Sequence, residues 1–337
     1  MREHGGDIYD KGRELLDFSS NVNFLGLPAG VKKALVDNID IYDRYPDPQN
    51  RELLQALADY YSINADKIVC GNGAADLIYR ITLAIKPKSA VLLTPCFSEY
   101  EAALSFCGAE INHHRLAEEE DFQLTEPLSG EFVVICNPNN PTGVPVSAEI
   151  IRKTAETSKF ILVDECFMDF LPEGSTYSFI PYLENYPNVI VLKAFTKVYA
   201  MAGLRLGFLL CADTALSQSV KNTLQPWSVS TVASKCGVAA LKETAYLDKT
   251  KVVTSHNREI FTEALRDLGL KVFDSAANYI LFNYSSSDLK ERLLAHNILI
   301  RSCANFRGLD GTFYRAAVRS EADNISFVRA MEKIING

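Results

Sequence analysis

The sequence lacks any apolar run that approaches the length of a membrane-spanning helix, and residues 1–6 contain no apolar signal core. It also lacks an excess of basic residues: 34 lysines and arginines stand against 42 aspartates and glutamates, a formal net charge of −8. Bulk electrostatics therefore disfavour nucleic acid and anionic membranes as partners. We expect a cytoplasmic protein in which any phosphorylated ligand is bound by a local basic cluster.

The eight cysteines form no Cys-x-x-Cys pair, and the five histidines show no spacing typical of metal ligands. Several of these cysteines, among them Cys70, Cys136 and Cys211, fall inside strand-like apolar runs. This usage is typical of reduced, buried thiols in cytosolic proteins, and it indicates neither a disulfide framework nor a zinc site. No Ser-His-Asp order stands out either.

The chain has 337 residues, 47% of them apolar, which can bury a sizeable core and suggests two domains. In the first two thirds of the chain, short apolar runs alternate with amphipathic segments. Because the runs show no polar alternation, they predict strands buried on both faces of a mostly parallel α/β sheet. The predicted strands are residues 68–70, 90–94, 132–136, 160–163, 189–192 and 207–211, and the predicted helices lie near 29–38, 51–61, 74–85, 99–106 and 147–158.

The pattern changes after a turn at Pro226. A long helical stretch over residues 230–268 is predicted there, and Ser320 with Asp323 predicts the start of a last helix. We therefore predict an N-terminal arm over residues 1–28, a large domain over 29–226 and a smaller α+β domain over 227–337. Between the two helices, the small domain is predicted to contain strands at 271–273, 279–283, 298–301 and 313–318 and a helix at 288–296.

The segment around Lys197 gives the clearest indication of a chemical function in the chain. Thr196 precedes it, Arg205 follows eight residues later, and we expect the lysine on a loop between two buried strands. A lysine amine attacks an aldehyde only when burial or neighbouring cations depress its pKa. Such a lysine, beside a hydroxyl and a guanidinium that can bind a phosphate, meets the needs of a pyridoxal-phosphate pocket. Taken alone, a surface lysine beside a packed arginine is an equally good interpretation.

Two further loops follow predicted strands, at the edge of the sheet where α/β proteins bind ligands. Gly73, Ala74 and Ala75 open a helix, so their backbone amides could approach a phosphate, although in isolation an ordinary strand–helix connection is favoured. Residues 137–143 contain two prolines and a glycine. They predict a rigid loop that could hold the Asn140 amide against a phenolic oxygen, and here the functional interpretation is favoured.

Phe97 and Asp164 also follow predicted strands. Phe97 could stack on a pyridine ring, although most such aromatic residues belong to cores. A carboxylate buried at the position of Asp164 would need a cationic partner, because an unpaired buried charge is costly. A pyridinium would meet that need and stay protonated as an electron acceptor, whereas a helix-capping carboxylate is an equally common alternative.

A cluster of arginines lies near the C-terminus. Arginine pairs with both carboxylate and phosphate through two parallel hydrogen bonds, so the cluster indicates a substrate that carries such groups. We expect one or two of these arginines to form surface salt bridges instead. Four arginines and a single acidic residue occur within nineteen positions: Arg301, Arg307, Asp310, Arg315 and Arg319.

Taken in order, these motifs resemble the fold-type-I pyridoxal-phosphate enzymes over essentially the whole chain. Residues 44–47, 137–143 and 202–205 are similar to the histidinol-phosphate aminotransferase branch. Within that branch the chain looks most like the threonine-phosphate decarboxylases. This narrower resemblance rests on the opening His4-Gly5-Gly6, segment 17–23, Phe167 where aminotransferases usually have tyrosine, and segments 300–306 and 314–320.

The resemblance implies an aspartate-aminotransferase-like fold, with helices on both faces of the large sheet, and a homodimer that binds pyridoxal 5'-phosphate. It implies that Lys197 bonds to the cofactor aldehyde, that Asp164 binds the pyridinium, that Asn140 binds the ring hydroxyl and that Phe97 stacks on the ring. The cofactor phosphate would be bound by Gly73, Ala74, Ala75, Thr196, Arg205 and, from a dimer partner, Tyr45.

For the substrate, the resemblance implies a small phosphorylated amino acid. Arg315 would bind its carboxylate, and His4, Asn21 and Arg301 would bind its phosphate. The implied reaction is decarboxylation of L-threonine O-3-phosphate to (R)-1-aminopropan-2-ol O-phosphate, for cobalamin biosynthesis. A histidinol-phosphate aminotransferase is the alternative, and a cofactor-binding regulator would need a DNA-binding segment for which this chain has no spare length.

Overall fold

Seven strands form one large sheet, and shorter strands form two small sheets in the last part of the chain. The structure is a computed structural model that describes residues 4–9, 15–172 and 174–337. The strands are β1 (Leu16–Asp17), β2 (Ile68–Gly71), β3 (Ser89–Thr94), β4 (Glu110–Arg115), β5 (Phe132–Cys136), β6 (Phe160–Asp164), β7 (Val189–Ala194), β8 (Gly207–Cys211), β9 (Lys271–Val272), β10 (Tyr279–Asn283), β11 (Ile298–Leu299), β12 (Arg301–Ser302) and β13 (Phe313–Ala317).

Helices connect these strands. Among the described residues, no helix is both long enough and apolar enough to cross a lipid bilayer. The helices are α1 (Ala29–Asp37), α2 (Arg51–Tyr61), α3 (Gly73–Ile85), α4 (Ser98–Phe106), α5 (Ala148–Thr157), α6 (Gly174–Tyr177), α7 (Phe195–Val198), α8 (Thr214–Lys221), α9 (Thr231–Ala240), α10 (Thr244–Asp267), α11 (Leu289–Leu294) and α12 (Glu321–Asn336).

The large sheet has the strand order β2-β8-β7-β6-β5-β3-β4. All neighbouring pairs are parallel except those of β8, which runs antiparallel to both β2 and β7. Every residue of β5 and β7 is buried, because both faces of the sheet are covered. The prediction of a mostly parallel sheet is confirmed, and the carboxyl ends of its parallel strands lie at a common edge.

The last part of the chain builds a separate core over the antiparallel sheet β12-β13-β10-β9. The N-terminal arm joins it, because β1 pairs in parallel with β11 and Phe18 packs against Phe327 with ring centroids 4.9 Å apart. The Ser320 hydroxyl accepts a hydrogen bond from the Asp323 backbone amide, which confirms the predicted start of the last helix.

Three local predictions were wrong. The helical stretch over residues 230–268 is interrupted between α9 and α10. The strand predicted at 298–301 is divided into β11 and β12, which belong to different sheets. Lys197 lies not on an irregular loop but in the one-turn helix α7, directly after β7.

Candidate active site

A cavity of about 320 Å³ lies at the carboxyl edge of the large sheet. Most of the residues predicted from the sequence to bind cofactor or substrate line it, and they come from the arm, the large sheet and the small sheets. Those in its wall are His4, Asn21, Ala74, Ala75, Phe97, Asn140, Asp164, Thr196, Lys197, Arg205, Arg301 and Arg315. Gly73 and Tyr45 are not among the lining residues.

Asp164 is the last residue of β6 and is only 5% exposed. Its carboxylate accepts a 2.7 Å hydrogen bond from the Tyr100 hydroxyl and a 2.9 Å bond from the Cys166 backbone amide. Burial raises the pKa of Asp164, although these hydrogen bonds and Lys193 oppose the shift. A buried carboxylate at a cavity wall is stabilised by a cation, and a protonated pyridine nitrogen is such a cation.

Lys197 reaches the same cavity from α7. Burial, together with the positive charges of Arg315 and Arg205, lowers the pKa of Lys197 to about 8. A substantial fraction of this amine is therefore neutral near physiological pH, which is the state that attacks an aldehyde. Thr196, its neighbour in α7, is buried and also lines the cavity.

The N-terminus of α3 and the Arg205 guanidinium form a cradle for an anion. A Cβ atom on Gly73 would lie 2.7 Å from Arg205 Nη2, so the guanidinium lies directly against the first turn of the helix. A Cβ atom on Gly207 would lie 2.6 Å from the Ala74 amide nitrogen, so β8 approaches that turn just as closely. The first amides of a helix and a guanidinium are both donors that suit a phosphate.

Asn140 and Arg315 are joined directly. Arg315 Nη1 donates a 2.6 Å hydrogen bond to Asn140 Oδ1, and Arg315 Nη2 donates a 2.7 Å bond to the Ser19 carbonyl oxygen. The Asn140 amide nitrogen remains as a donor for a ligand. One guanidinium thus connects the loop after β5, the arm and β13.

Two of the four clustered arginines are buried at the cavity and two are not. Arg301 is 4% exposed and Arg315 is 6% exposed, and burial lowers the pKa of Arg315 to about 10. Outside the cavity, Arg307 forms a 2.6 Å ion pair with Glu101, and Arg319 forms a 3.0 Å ion pair with an aspartate of α12. The expectation that one or two of the four form salt bridges is confirmed.

His4 places the arm at the mouth of the cavity. Its Nε2 lies 3.0 Å from Glu99 Oε1, and its ring centroid lies 5.8 Å from that of Phe97. The Phe97 ring is also edge-on to Tyr100, at 5.7 Å. His4, Asn21 and Arg301 line the same cavity, where they could meet one anionic group of a substrate.

Tyr45 lies away from this cavity. Its side chain is 79% exposed, and its ring stacks on that of Trp227 with centroids 4.5 Å apart. Within one subunit it contacts none of the cofactor candidates that the structure describes.

Several residues of the site were not predicted from the sequence, and three of them make hydrogen bonds to predicted residues. Tyr100 bonds to Asp164, Cys166 lines the cavity and bonds to Asp164 through its amide, and Glu99 bonds to His4. Glu99 and Tyr100 lie in the same stretch as Phe97, in the first turn of α4. The available signal was their position directly after β3 and beside Phe97, at the edge of the sheet where ligands bind.

The sequence pattern described as "Aminotransferase class I and II" matches residues 13–330. The chain belongs to this family. A threonine-phosphate decarboxylase of Salmonella typhimurium is 38% identical, over 99% of this chain and 97% of that protein. A protein of Leptospira interrogans named adenosylcobalamin biosynthesis bifunctional protein CobDQ is 31% identical, over 100% of this chain and 41% of its own length. The structure of a histidinol-phosphate aminotransferase from Clostridium acetobutylicum superposes with a TM-score of 0.88 at 29% identity, over 96% of this chain and 99% of that one.

As a class I and II aminotransferase-family protein, the chain is a pyridoxal-phosphate-dependent enzyme with an aspartate-aminotransferase-like fold. The cavity fits that cofactor. Asp164 offers a buried carboxylate for the ring nitrogen, Lys197 offers an amine of lowered pKa for the aldehyde, and the cradle of α3 and Arg205 offers donors for the phosphate. The predicted fold and cofactor are confirmed.

Proposed function

We propose that the protein decarboxylates L-threonine O-3-phosphate to (R)-1-aminopropan-2-ol O-phosphate, as a step of cobalamin biosynthesis. The observation that carries this proposal is the pair of buried guanidiniums, Arg301 and Arg315, in one cavity with Lys197. Arginine pairs with carboxylate and phosphate through two parallel hydrogen bonds, so two buried guanidiniums in one cavity suit a substrate with two anionic groups. The 38% identity to a threonine-phosphate decarboxylase supports the choice of substrate.

The cofactor, when bound, supplies an aldehyde for the substrate amine and an electron sink for the pair of electrons left when carbon dioxide departs. Asp164 holds its ring nitrogen protonated, with Tyr100 fixing the carboxylate. Asn140 would donate to its ring oxygen, Phe97 would pack against its ring, and its phosphate would be held by Gly73, Ala74, Ala75, Thr196 and Arg205.

Arg315 binds the substrate carboxylate, and His4, Asn21 and Arg301 bind the substrate phosphate. Fixing both ends would set the orientation of the bond between Cα and the carboxylate, and decarboxylation needs that bond aligned with the electron system of the cofactor. Lys197 Nζ then delivers a proton to Cα. Its pKa of about 8 suits this exchange, since both protonation states are populated near neutral pH.

A histidinol-phosphate aminotransferase is the second candidate, and the fold neighbour from Clostridium acetobutylicum supports it. Such an enzyme would use Arg301 for the phosphate of one substrate and Arg315 for the carboxylate of the other. Phe167 favours the decarboxylase, because aminotransferases of this branch usually have tyrosine at this position. It lines the cavity and packs edge-on against Tyr279 at 5.0 Å, with no hydroxyl to offer a cofactor ring oxygen.

We further propose a cytoplasmic homodimer in which Tyr45 reaches the cofactor phosphate of the neighbouring subunit. The exposed stack of Tyr45 on Trp227 supports this, because large exposed aromatic rings are common at protein interfaces. The proposed domain boundaries place this stack at the junction near residue 226.

The test offers the cofactor-loaded enzyme L-threonine O-3-phosphate and measures carbon dioxide and aminopropanol phosphate. Parallel reactions contain histidinol phosphate with 2-oxoglutarate, and a Lys197→Ala variant serves as the control. We expect carbon dioxide from the first reaction and none from the variant. Glutamate formation without carbon dioxide would overturn the decarboxylase proposal and establish the aminotransferase.

A further inference from the structure

We propose that Glu99 is a positioning residue that orients His4 toward the substrate phosphate and thereby sets the preference for phosphorylated over unphosphorylated amino acids. The inference rests on the proposed function, because that proposal places the substrate phosphate at His4. No contact between these two residues was predicted from the sequence, and it joins the arm to the first turn of α4.

The geometry holds the Glu99 carboxylate at both oxygens. Oε1 lies 3.0 Å from His4 Nε2, and Oε2 accepts a 3.0 Å hydrogen bond from the Tyr79 hydroxyl of α3. The Glu99 side chain is 13% exposed, whereas that of His4 is 44% exposed. The more buried, doubly held carboxylate is therefore the fixed partner, and the imidazole is the group it orients.

The arm backbone brings His4 to the cavity but does not fix its ring. A Cβ atom on Gly5 would collide with the Ser19 carbonyl oxygen, so the arm lies flat on the loop after β1. The Gly6 amide donates a 2.8 Å hydrogen bond to the Ser19 hydroxyl. These contacts set the position of the His4 Cα atom, and rotation of the side chain is limited by Glu99 on one side and the Phe97 ring on the other.

The contact of Glu99 with His4 Nε2 determines which imidazole atom can contact the ligand. The imidazole has two nitrogens, so Nδ1 is the one left for a ligand, and it donates to a phosphate oxygen when the ring carries a proton on both nitrogens. A carboxylate next to a phosphate would otherwise repel it. An imidazole held between the two anions separates them and lets Glu99 favour phosphate binding, and the Arg301 guanidinium lines the same cavity.

The experiment compares the cofactor-loaded wild type with Glu99→Ala, Glu99→Gln, His4→Ala and the double variant. L-threonine O-3-phosphate and L-threonine are each titrated against the holoenzyme, and binding is followed by the change in cofactor absorbance; KM and kcat are measured where turnover occurs. We expect Glu99→Ala to raise Kd and KM for the phosphorylated ligand roughly 3- to 10-fold, the range of a lost charge-assisted hydrogen bond. Binding of L-threonine and kcat should change less than twofold.

Glu99→Gln keeps an acceptor for His4 and should lie between wild type and Glu99→Ala. The double variant should bind the phosphorylated ligand no more weakly than His4→Ala, because Glu99 acts through His4. Glu101→Gln is the matched control: this glutamate lies two residues further along α4 and pairs with Arg307, so binding should stay within twofold of wild type.

Equal loss of affinity for both ligands, or additive effects in the double variant, would overturn the inference. A failure of the proposed function looks different, because the wild type would then release no carbon dioxide. If the wild type turns over histidinol phosphate instead, the same variants are compared on histidinol phosphate and histidinol. An unchanged ratio of the two affinities in Glu99→Ala would again overturn the inference.

Discussion

Arg315 and Asn140 are joined by a 2.6 Å hydrogen bond, although they are 175 residues apart in the chain. Asn140 belongs to the loop after β5 of the large sheet, and Arg315 belongs to β13 of the small antiparallel sheet. The bond connects the proposed ligand of the substrate carboxylate to the proposed ligand of the cofactor ring. The Arg315 charge also lowers the pKa of Lys197. In the proposed reaction, this guanidinium therefore acts on the substrate carboxylate and on the lysine that moves the proton.

Replacing Arg315 with methionine should raise the pKa of Lys197. Burial is the main cause of its low value of about 8, and the Arg315 charge is the next, so removal of that charge favours the protonated amine. The rate at which the cofactor-free enzyme takes up pyridoxal phosphate, measured against pH, should show a midpoint above 8 in the variant. Arg319→Met, which removes a guanidinium from outside the cavity, should leave the midpoint in place. A midpoint unchanged by Arg315→Met would contradict the conclusion that Arg315 lowers the pKa of Lys197.

The cofactor-free enzyme should gain stability when Lys197 is replaced with methionine. The pKa of Lys197 is about 8 in the fold against 10.5 for a free lysine, so folding disfavours its protonated form. The penalty is complete below pH 8 and vanishes as the pH rises to 10.5. We expect a gain of about 1–3 kcal/mol at pH 7 that fades toward pH 10.5, measured by urea unfolding. The exposed Lys32→Met variant should show no such pH dependence.

Gly207→Ala should weaken cofactor binding. The added Cβ atom would lie 2.6 Å from the Ala74 amide nitrogen and would push β8 away from the first turn of α3. We expect roughly a tenfold or greater loss of affinity for pyridoxal phosphate and a loss of about 1–3 kcal/mol in stability. Gly203→Ala is the control, because no atom lies within 4 Å of its added Cβ. The affinities are measured by titration of the cofactor-free variants with pyridoxal phosphate. Equal affinities in Gly207→Ala and Gly203→Ala would contradict the role of the close contact between β8 and α3.

An ion pair between the buried Lys193 and the partly exposed Asp169 should matter for folding. Lys193 Nζ lies 2.8 Å from Asp169 Oδ1, and the fully buried Glu165 raises the pKa of Lys193 as well. Lys193→Met would leave two carboxylates without their cation, so we expect a loss of about 3–5 kcal/mol in the free energy of unfolding. The exposed pair of Lys159 with Glu131 offers the control, since Lys159→Met should cost about 0.5 kcal/mol or less. Similar losses in the two variants would mean that the pair of Lys193 with Asp169 adds nothing specific.

Tyr45 should act in the active site of the other subunit. Mixing a Tyr45→Ala variant with a Lys197→Ala variant under conditions of subunit exchange should produce heterodimers with one intact site. We expect activity well above that of either variant alone. Sedimentation should show dimers for both variants, and a Tyr45→Phe variant should lose cofactor affinity about 3- to 10-fold through its missing hydroxyl. No recovery on mixing would place Tyr45 within its own site or outside the chemistry.

The sequence predicted the large sheet well because its strands are apolar runs buried on both faces. It missed β4, whose residues Glu110–Arg115 are polar and mostly exposed at the edge of the sheet, so neither apolar content nor alternation marked it. The break after α9 was invisible, because residues 241–243 are all compatible with a helix. The split between β11 and β12 depends on which strands they pair with, and single-chain patterns do not encode that.

Within the active site, motifs that follow strands could be found from the sequence, since those positions share one edge of the sheet. Contacts between distant segments could not. The bond between Tyr100 and Asp164 joins α4 to β6, and the bond between His4 and Glu99 joins the arm to α4. Both depend on tertiary packing, and their roles in catalysis stay predictions.

The pairing of β1 with β11 attaches the arm to the small sheets, and this attachment has a consequence for the evolution of the enzyme. The proposed ligands of the cofactor stand on the large sheet and its loops, whereas those of the substrate stand on the arm and the small sheets. Because the arm and the small sheets also pack on a second core of their own, substitutions in that core can alter what is bound while the cofactor chemistry is inherited intact. Decarboxylases and aminotransferases of one ancestry can diverge by that route.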